Sequence, residues 1–269
     1  MKTRLIAAAV LVPVLFLVVL VLPKIIAAVI MGLIMAIGAY ELLYRTGLVR
    51  NLRMVLYSMV MAFAVSLWSH YDSVRAYLLL CLLVFWVVLF AEMMVDHVKV
   101  RFETVCLCFS AGFVLPYMLS ALVRILNMSI GRYLILIPFV VAFLADAGAY
   151  FAGLRFGKHK LAPVVSPNKT IEGVLGGIVG AVAGMLIYTL ILYFLNFMVN
   201  FGLALLYGVV GCAADVFGDL SFSIIKRQTG IKDYGQLIPG HGGVYDRFDS
   251  LVTVAPLMEA LLLIVPLAV

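Results

Sequence analysis

Long apolar runs follow one another along almost the whole of this chain, and no other feature limits its fold so severely. A hydrocarbon core of about 30 Å needs roughly 20 helical residues to cross it. About nine stretches approach that length, near residues 5–23, 25–43, 54–69, 77–95, 104–123, 133–153, 173–198, 202–225 and 250–269. Backbone groups at that depth find no water, so the spans must be helices or a closed barrel. A barrel strand alternates polar and apolar residues, whereas these runs are continuous. The expected fold is therefore all-α and polytopic, an integral membrane protein. A hydrophobic content of 66% with only 12% charged residues lies far outside the range of soluble domains and agrees.

The first run follows Lys2 and Arg4 as a secretory leader would. No small-x-small site precedes Lys24 and a second run begins at once, so it reads as a membrane helix. Cys81, Cys106, Cys108 and Cys212 all fall inside apolar runs without metal-type spacing, which predicts small packed side chains and neither a disulfide nor a zinc site.

Positive charge flanking spans is retained on the cytoplasmic side. With the N-terminus inside, Arg45, Arg50, Arg53, Lys99, Arg101, Arg155, Lys158, Lys160, Lys169, Lys226, Arg227, Lys232 and Arg247 all become cytoplasmic. Only Lys24, Arg75, Arg124 and Arg132 are left outside. The net charge of +6 is thus a topology signal with some attraction to anionic headgroups, and no basic soluble domain points to nucleic acid.

The polar chemistry is unevenly placed. Residues 1–130 hold spans joined by short loops, a region for packing, lipid contact or an oligomer interface. Residues 131–269 carry two longer cytoplasmic connections, 154–172 and 226–249, and the chemistry is expected there. Acids inside spans are costly enough to be functional candidates, and Asp146, Asp215, Asp219 and Glu259 qualify. Asp215, Asp219, Ser223 and Arg227 recur every fourth residue, one stripe of a helix rising from the membrane to its surface. Asp146 sits among Ala147, Gly148 and Ala149, small residues that suit close helix packing, which does not account for the acid. Glu259, isolated in the last run, reads as a packing residue.

In "RFGKHKLAPVVSPNKTIEG" (155–173), Ser166 followed by Pro167 predicts an N-cap and a helix start. Free amides there, with Lys158, Lys160 and Lys169 near, suit an anion, although a capped helix beside topogenic lysines explains the same residues. In "GQLIPGHGGVYDRFDS" (235–250), Asp246 and Asp249 stand three apart and can share a face as the final helix begins. Acids at a helix start are common caps. Caps do not explain the company of Lys226, Arg227, Lys232, Arg247 and a His-Gly-Gly turn. Carboxylates beside a phosphate-sized basic site suit Mg²⁺, which takes one or two carboxylates and substrate phosphate oxygens. Glycines 240, 242 and 243 allow close backbone approach, and His241 with the cations can neutralise a leaving group. The pattern reads as phosphoryl or nucleotidyl transfer.

The run Ser223–Asp249, "SIIKRQTGIKDYGQLIPGHGGVYDRFD", resembles the signature of the phosphatidate cytidylyltransferase (CDP-diacylglycerol synthase) family, with about a dozen restricted positions in register. "DAGAYFAG" and "SPNKTIEG" are similar to two further family segments, with Ala147 where Thr is expected and Asn168 where Lys is commoner. The resemblance implies CTP and phosphatidate as substrates, CDP-diacylglycerol and pyrophosphate as products, a Mg²⁺ requirement with one or two ions, and an active site on the cytoplasmic face of a bacterial inner membrane. It implies Asp219, Asp246 and Asp249 as metal ligands and Lys226 and Arg247 as further catalytic residues. Asp146, Ser166, Asn168, Lys169, Ser223, Arg227, Lys232, His241, Gly242 and Gly243 are the expected substrate contacts. A CTP-dependent polyprenol kinase would share much of this chemistry. An ion-coupled transporter would explain intramembrane acids but not a basic, acid-bearing loop. A CDP-alcohol phosphotransferase would need a DGxxAR-type array that the sequence lacks.

Overall fold

The computed structural model describes residues 13, 16–71, 75–235 and 242–268. The helices in chain order are α1 (Lys24–Tyr40), α2 (Leu52–His70), α3 (Arg75–Val95), α4 (Phe102–Phe109), α5 (Leu115–Leu119), α6 (Ala121–Asn127), α7 (Gly131–Leu134) and α8 (Leu136–Phe156). A hairpin of β1 (Lys160–Ala162) and β2 (Ser166–Thr170) follows, then α9 (Ile171–Phe194), α10 (Phe201–Gln228), α11 (Tyr245–Phe248) and α12 (Leu251–Ile264). Turns of π-helix at Leu17–Val21, Glu41–Arg45 and Ser110–Val114 complete the helical part.

Among the described residues, seven helical segments are long and apolar enough to cross a membrane: 24–45, 52–70, 77–95, 102–127, 131–156, 171–194 and 201–228. The all-α polytopic expectation holds. The first expected span lies for the most part outside the described residues, and the last is a shorter apolar helix, Leu251–Ile264, containing Pro256.

The chain divides into two compact units. One is Met1–Asn127 with Gln228–Phe248, the other Met128–Arg227 with Asp249–Val269. The sequence placed the whole of 226–249 with the C-terminal half; the contacts group most of it with the N-terminal helices.

In the first unit α1 packs along α2. Asn51 caps α2 by accepting the Arg53 amide, as expected of Asn at that position. Several polar side chains within the bundle find partners there. The Ser58 hydroxyl donates to the Met54 carbonyl at 2.9 Å, with the Cys108 carbonyl a second acceptor in reach at 3.2 Å, and the Arg124 guanidinium lies 4.5 Å from the Tyr117 ring centre while donating to Ser120 and Ser69.

In the second unit α8 and α9 approach so closely that a Cβ on Gly148 would strike the Gly176 carbonyl and one on Gly180 the Leu144 carbonyl. Small residues allow this in a bilayer, where association depends on backbone proximity. The hairpin between them is a correction to the sequence reading, which started a helix at Ser166–Pro167. Ser166–Thr170 instead pairs antiparallel with Lys160–Ala162, and α9 begins at Ile171 with Thr170 Oγ1 accepting the Gly173 amide at 3.0 Å. The Glu172 carboxylate clips the hairpin's base by accepting the Lys158 and His159 amides and pairing with the His159 ring. Thr170 supplies the cap, so Ser166 stays free to extend.

Candidate active site

The second unit builds its site on α10, an uninterrupted helix of 28 residues. The four-residue spacing of Asp215, Asp219, Ser223 and Arg227 therefore forms the stripe that the sequence predicts. Ser223 Oγ donates to Asp219 Oδ1 at 3.2 Å, and Arg227 Nε donates to the Val165 carbonyl at 3.1 Å, tying the helix end to the hairpin tip. Lys169, carried by β2, forms an ion pair with Asp219 Oδ2. Both side chains are largely buried, so the pair is shielded more than a surface one.

Asp249 approaches this stripe because α10 has a glycine where it must. A Cβ on Gly218 would stand 2.8 Å from the Asp249 carbonyl oxygen and 3.0 Å from Ser250 Cα. The turn is further fixed by Ser250 N donating to Asp249 Oδ1 at 3.0 Å, Ser250 Oγ to the Asp215 carbonyl at 3.4 Å, and Thr253 Oγ1 to the Ala214 carbonyl at 2.8 Å. Burial, and next the Asp219 carboxylate, push the Asp249 pKa up to about 6, against the Ser250 amide and Lys226, which lower it. Asp146, on α8, is also within electrostatic reach of Asp249 and of Asp215. Asp215 itself is 3% exposed, and among the described residues its Oδ1 is buried with no hydrogen-bond partner.

Asp146, Asp215, Asp219 and Asp249 thus gather with two lysines, Lys169 and Lys226. Carboxylates exceed cations, and their oxygens are the hard donors that a divalent magnesium-like ion prefers. Among the described residues no three His, Cys, Asp or Glu side chains come close enough to hold a metal ion by themselves. That donor set suits an ion that brings most of its ligands as phosphate oxygens and water. Of the other expected contacts here, Ser166 is partly buried, and Asn168 and Arg227 are exposed.

The first unit holds the remaining signature residues. The expectation that Asp246 and Asp249 open one helix needs correcting: α11 ends at Phe248, Asp249 and Ser250 form a turn, and α12 starts at Leu251. Asp246 Oδ2 accepts the amides of Tyr234 and Gly243, each at 2.8 Å, holding those two backbone positions together. Gly242 has φ +85°, the left-handed region natural to glycine. Lys232 and Arg247 are exposed, and His241 lies outside the described residues.

Sequence reasoning passed over Glu41. It sits in the π turn that ends the span 24–45, is 3% exposed, and accepts the Val244 amide through Oε2 at 2.6 Å. A lone acid in "GAYELLYR" ending a long apolar run was the available signal, because buried acids are costly unless partnered.

The Cytidylyltransferase family model matches residues 2–265. A phosphatidate cytidylyltransferase of Pseudomonas aeruginosa is 40% identical over 274 aligned positions, covering 97% of either chain. Enzymes of the same name from Haemophilus influenzae and Staphylococcus haemolyticus are 43% and 41% identical over about half of each chain.

Proposed function

This chain belongs to the cytidylyltransferase family, and from that premise we propose that it is an integral membrane nucleotidyltransferase making CDP-diacylglycerol and pyrophosphate from CTP and phosphatidate. The observation that carries the catalytic part is the convergence of Asp219 and Asp249 across Gly218, with Lys169 paired to Asp219 and Lys226 in reach of Asp249.

A phosphate oxygen of phosphatidate attacks the α-phosphorus of CTP, the bond from that phosphorus to the bridging oxygen of the β-phosphate breaks, and pyrophosphate leaves with the bond's electron pair. Both reactants are anions, so holding them together and neutralising charge is most of the catalytic task. Asp219 and Asp249 would hold a divalent ion, with Asp146 and Asp215 adding negative field. Mg²⁺, when bound, would offset phosphate charge and polarise the α-phosphoryl group. Ser223 orients Asp219 through its hydroxyl. Lys169 holds the Asp219 carboxylate in place before reactants arrive.

Lys226, Arg227, Lys232 and Arg247 bind phosphates, guanidinium groups suiting two oxygens at once and lysines acting as point charges. Asp246, the third acid of the expected set, serves by holding the Gly242–Gly243 backbone in the shape that the Tyr234 and Gly243 amides record. Ser166 and Asn168 on the hairpin and His241 in the glycine-rich loop complete the substrate contacts. A stripe rising from a span to its end suits a lipid whose acyl chains stay in the bilayer while its headgroup meets soluble CTP. The excess of cations in the same loops supports a cytoplasmic face.

Purified protein in mixed micelles, given labelled CTP, should form CDP-diacylglycerol with phosphatidate, nothing with a polyprenol, and no product in excess chelator. Phosphorylation of the polyprenol would replace this reading with the kinase. Full turnover in chelator would remove the metal from it.

A further inference from the structure

Glu41 is a buried carboxylate placed under the signature loop by a helix 203 residues away in sequence from the amide that it binds. We propose that Glu41 is a positioning residue, an anionic peg against which the backbone at Gly235 and at Gly243–Val244 is seated, next to Asp246 and Arg247; its role in the reaction rests on the cytidylyl-transfer reading above.

Three independent features of the first unit meet at this side chain. Val244 N donates to Glu41 Oε2 at 2.6 Å, and Val244 immediately precedes α11, which carries Asp246 and Arg247. The two glycines that flank the loop, Gly235 and Gly243, are the residues whose Cβ would run into the carboxylate. One built on Gly235 would overlap Oε1, and one on Gly243 would stand 2.8 Å from Glu41 Cδ and 2.6 Å from Gly235 N. Any larger residue at either position would displace the acid or the backbone beside it. The same helix end also forms the floor of α11, since a Cβ on Gly38 would lie 3.0 Å from the Tyr245 ring.

Glu41 opens a π turn, a local underwinding of the helix that is rare and concentrates at functional positions. Asp246 and Arg45 are charged groups within electrostatic reach of it. Asp246 holds this backbone by accepting the Tyr234 and Gly243 amides, and Glu41 holds it by accepting the Val244 amide. Two carboxylates therefore bind successive amides of one glycine-rich turn. With both in place, the backbone at 243–244 is determined before any substrate binds. Preorganisation of this kind raises turnover more than it raises affinity, because charge placement matters most when charge moves.

The test compares wild type with Glu41→Ala, Glu41→Gln and Gly235→Ala in detergent. Hydrogen exchange is followed by mass spectrometry and CTP turnover is measured with phosphatidate. Glu41→Ala should raise exchange of the peptide spanning Val244–Phe248 at least tenfold, leave that of Leu52–His70 unchanged, and lower kcat about tenfold with KM for phosphatidate nearly constant. Glu41→Gln keeps an oxygen for the Val244 amide and should restore both readouts to within about threefold of wild type. Gly235→Ala reaches the same contact from the loop side and should loosen the same peptide, which covers the case of a Glu41→Ala protein that does not fold. Unchanged exchange in the alanine variants overturns the peg. Loosened exchange with unchanged kcat overturns its part in the reaction. If the wild type made no CDP-diacylglycerol at all, the failure would belong to the cytidylyl-transfer reading, and exchange would still decide the contact.

Discussion

Gly218→Ala separates the placement of the acids from their presence, because it removes no charged group. The added Cβ would meet the Asp249 carbonyl oxygen at 2.8 Å, Ser250 Cα at 3.0 Å and, closest of all, Thr253 Oγ1. Ordinary contact needs about 3.5 Å, so the turn must retreat from α10 by roughly half an ångström or more. Two of the three obstacles are backbone, and the Thr253 hydroxyl is held by the Ala214 carbonyl at 2.8 Å, so none swings aside freely. Overpacking of this kind costs about 1–3 kcal/mol. Alanine's better helix propensity returns about 1 kcal/mol in the middle of α10. The net loss of stability should therefore be small, about 0–2 kcal/mol.

Activity has no such offset. A misplacement of about 1 Å can cost on the order of 10²-fold in rate, so half of that predicts a loss of roughly tenfold. The assay is the initial rate of CDP-diacylglycerol formation beside the thermal unfolding midpoint in the same detergent. Phe217→Leu is the control, since that neighbouring side chain is 66% exposed. A Gly218→Ala enzyme with wild-type rate and midpoint would refute the idea that Asp249 must stand against this face of α10.

Asp219→Asn and Asp249→Asn should each lower turnover by at least about 10³-fold with folding retained, as expected for loss of a charged ligand in a site built on electrostatics, measured by the same radiometric assay. The Asp249 carboxyl is raised from 3.8 to about 6, so the folded state holds a proton that the unfolded state has released between those values. Its stabilising contribution is complete below about pH 4 and is lost as pH rises through 6, roughly 3 kcal/mol in all. In chelator the unfolding midpoint should accordingly fall from pH 4 to pH 7 through this group, and Asp249→Asn should flatten that dependence. Thr170→Ala removes the cap of α9 and should cost about 1 kcal/mol, seen as a lower unfolding midpoint with the hairpin's Lys169 still able to pair. For topology, Lys232→Cys in a cysteine-free background should react with an impermeant maleimide only from the cytoplasmic side; reaction solely from outside would reverse the orientation.

What could be read from the sequence was whatever depended on neighbours along the chain. Span lengths are a local property, and seven of the expected spans reappear in the fold within a few residues of their predicted limits. The stripe of Asp215, Asp219, Ser223 and Arg227 was visible because the helical period alone brings residues four apart together, and Ser223 does reach Asp219. The misread start of α9 marks the boundary of that logic. Ser166–Pro167 has a good local capping pattern, but pairing with Lys160–Ala162 claims the segment first, and Thr170 can cap only because the hairpin delivers it there. Glu41 lies wholly beyond it. As a single acid before Tyr44 and Arg45 at the end of an apolar run it resembles an ordinary interfacial residue, and its meaning comes from an amide 203 positions later. Gly218 is similar, one glycine among many until the turn at Asp249 is laid against it. The chemistry was thus written in residue types, whereas the geometry is written at Gly218, Gly235 and Gly243, where a neighbouring group lies too close for a side chain.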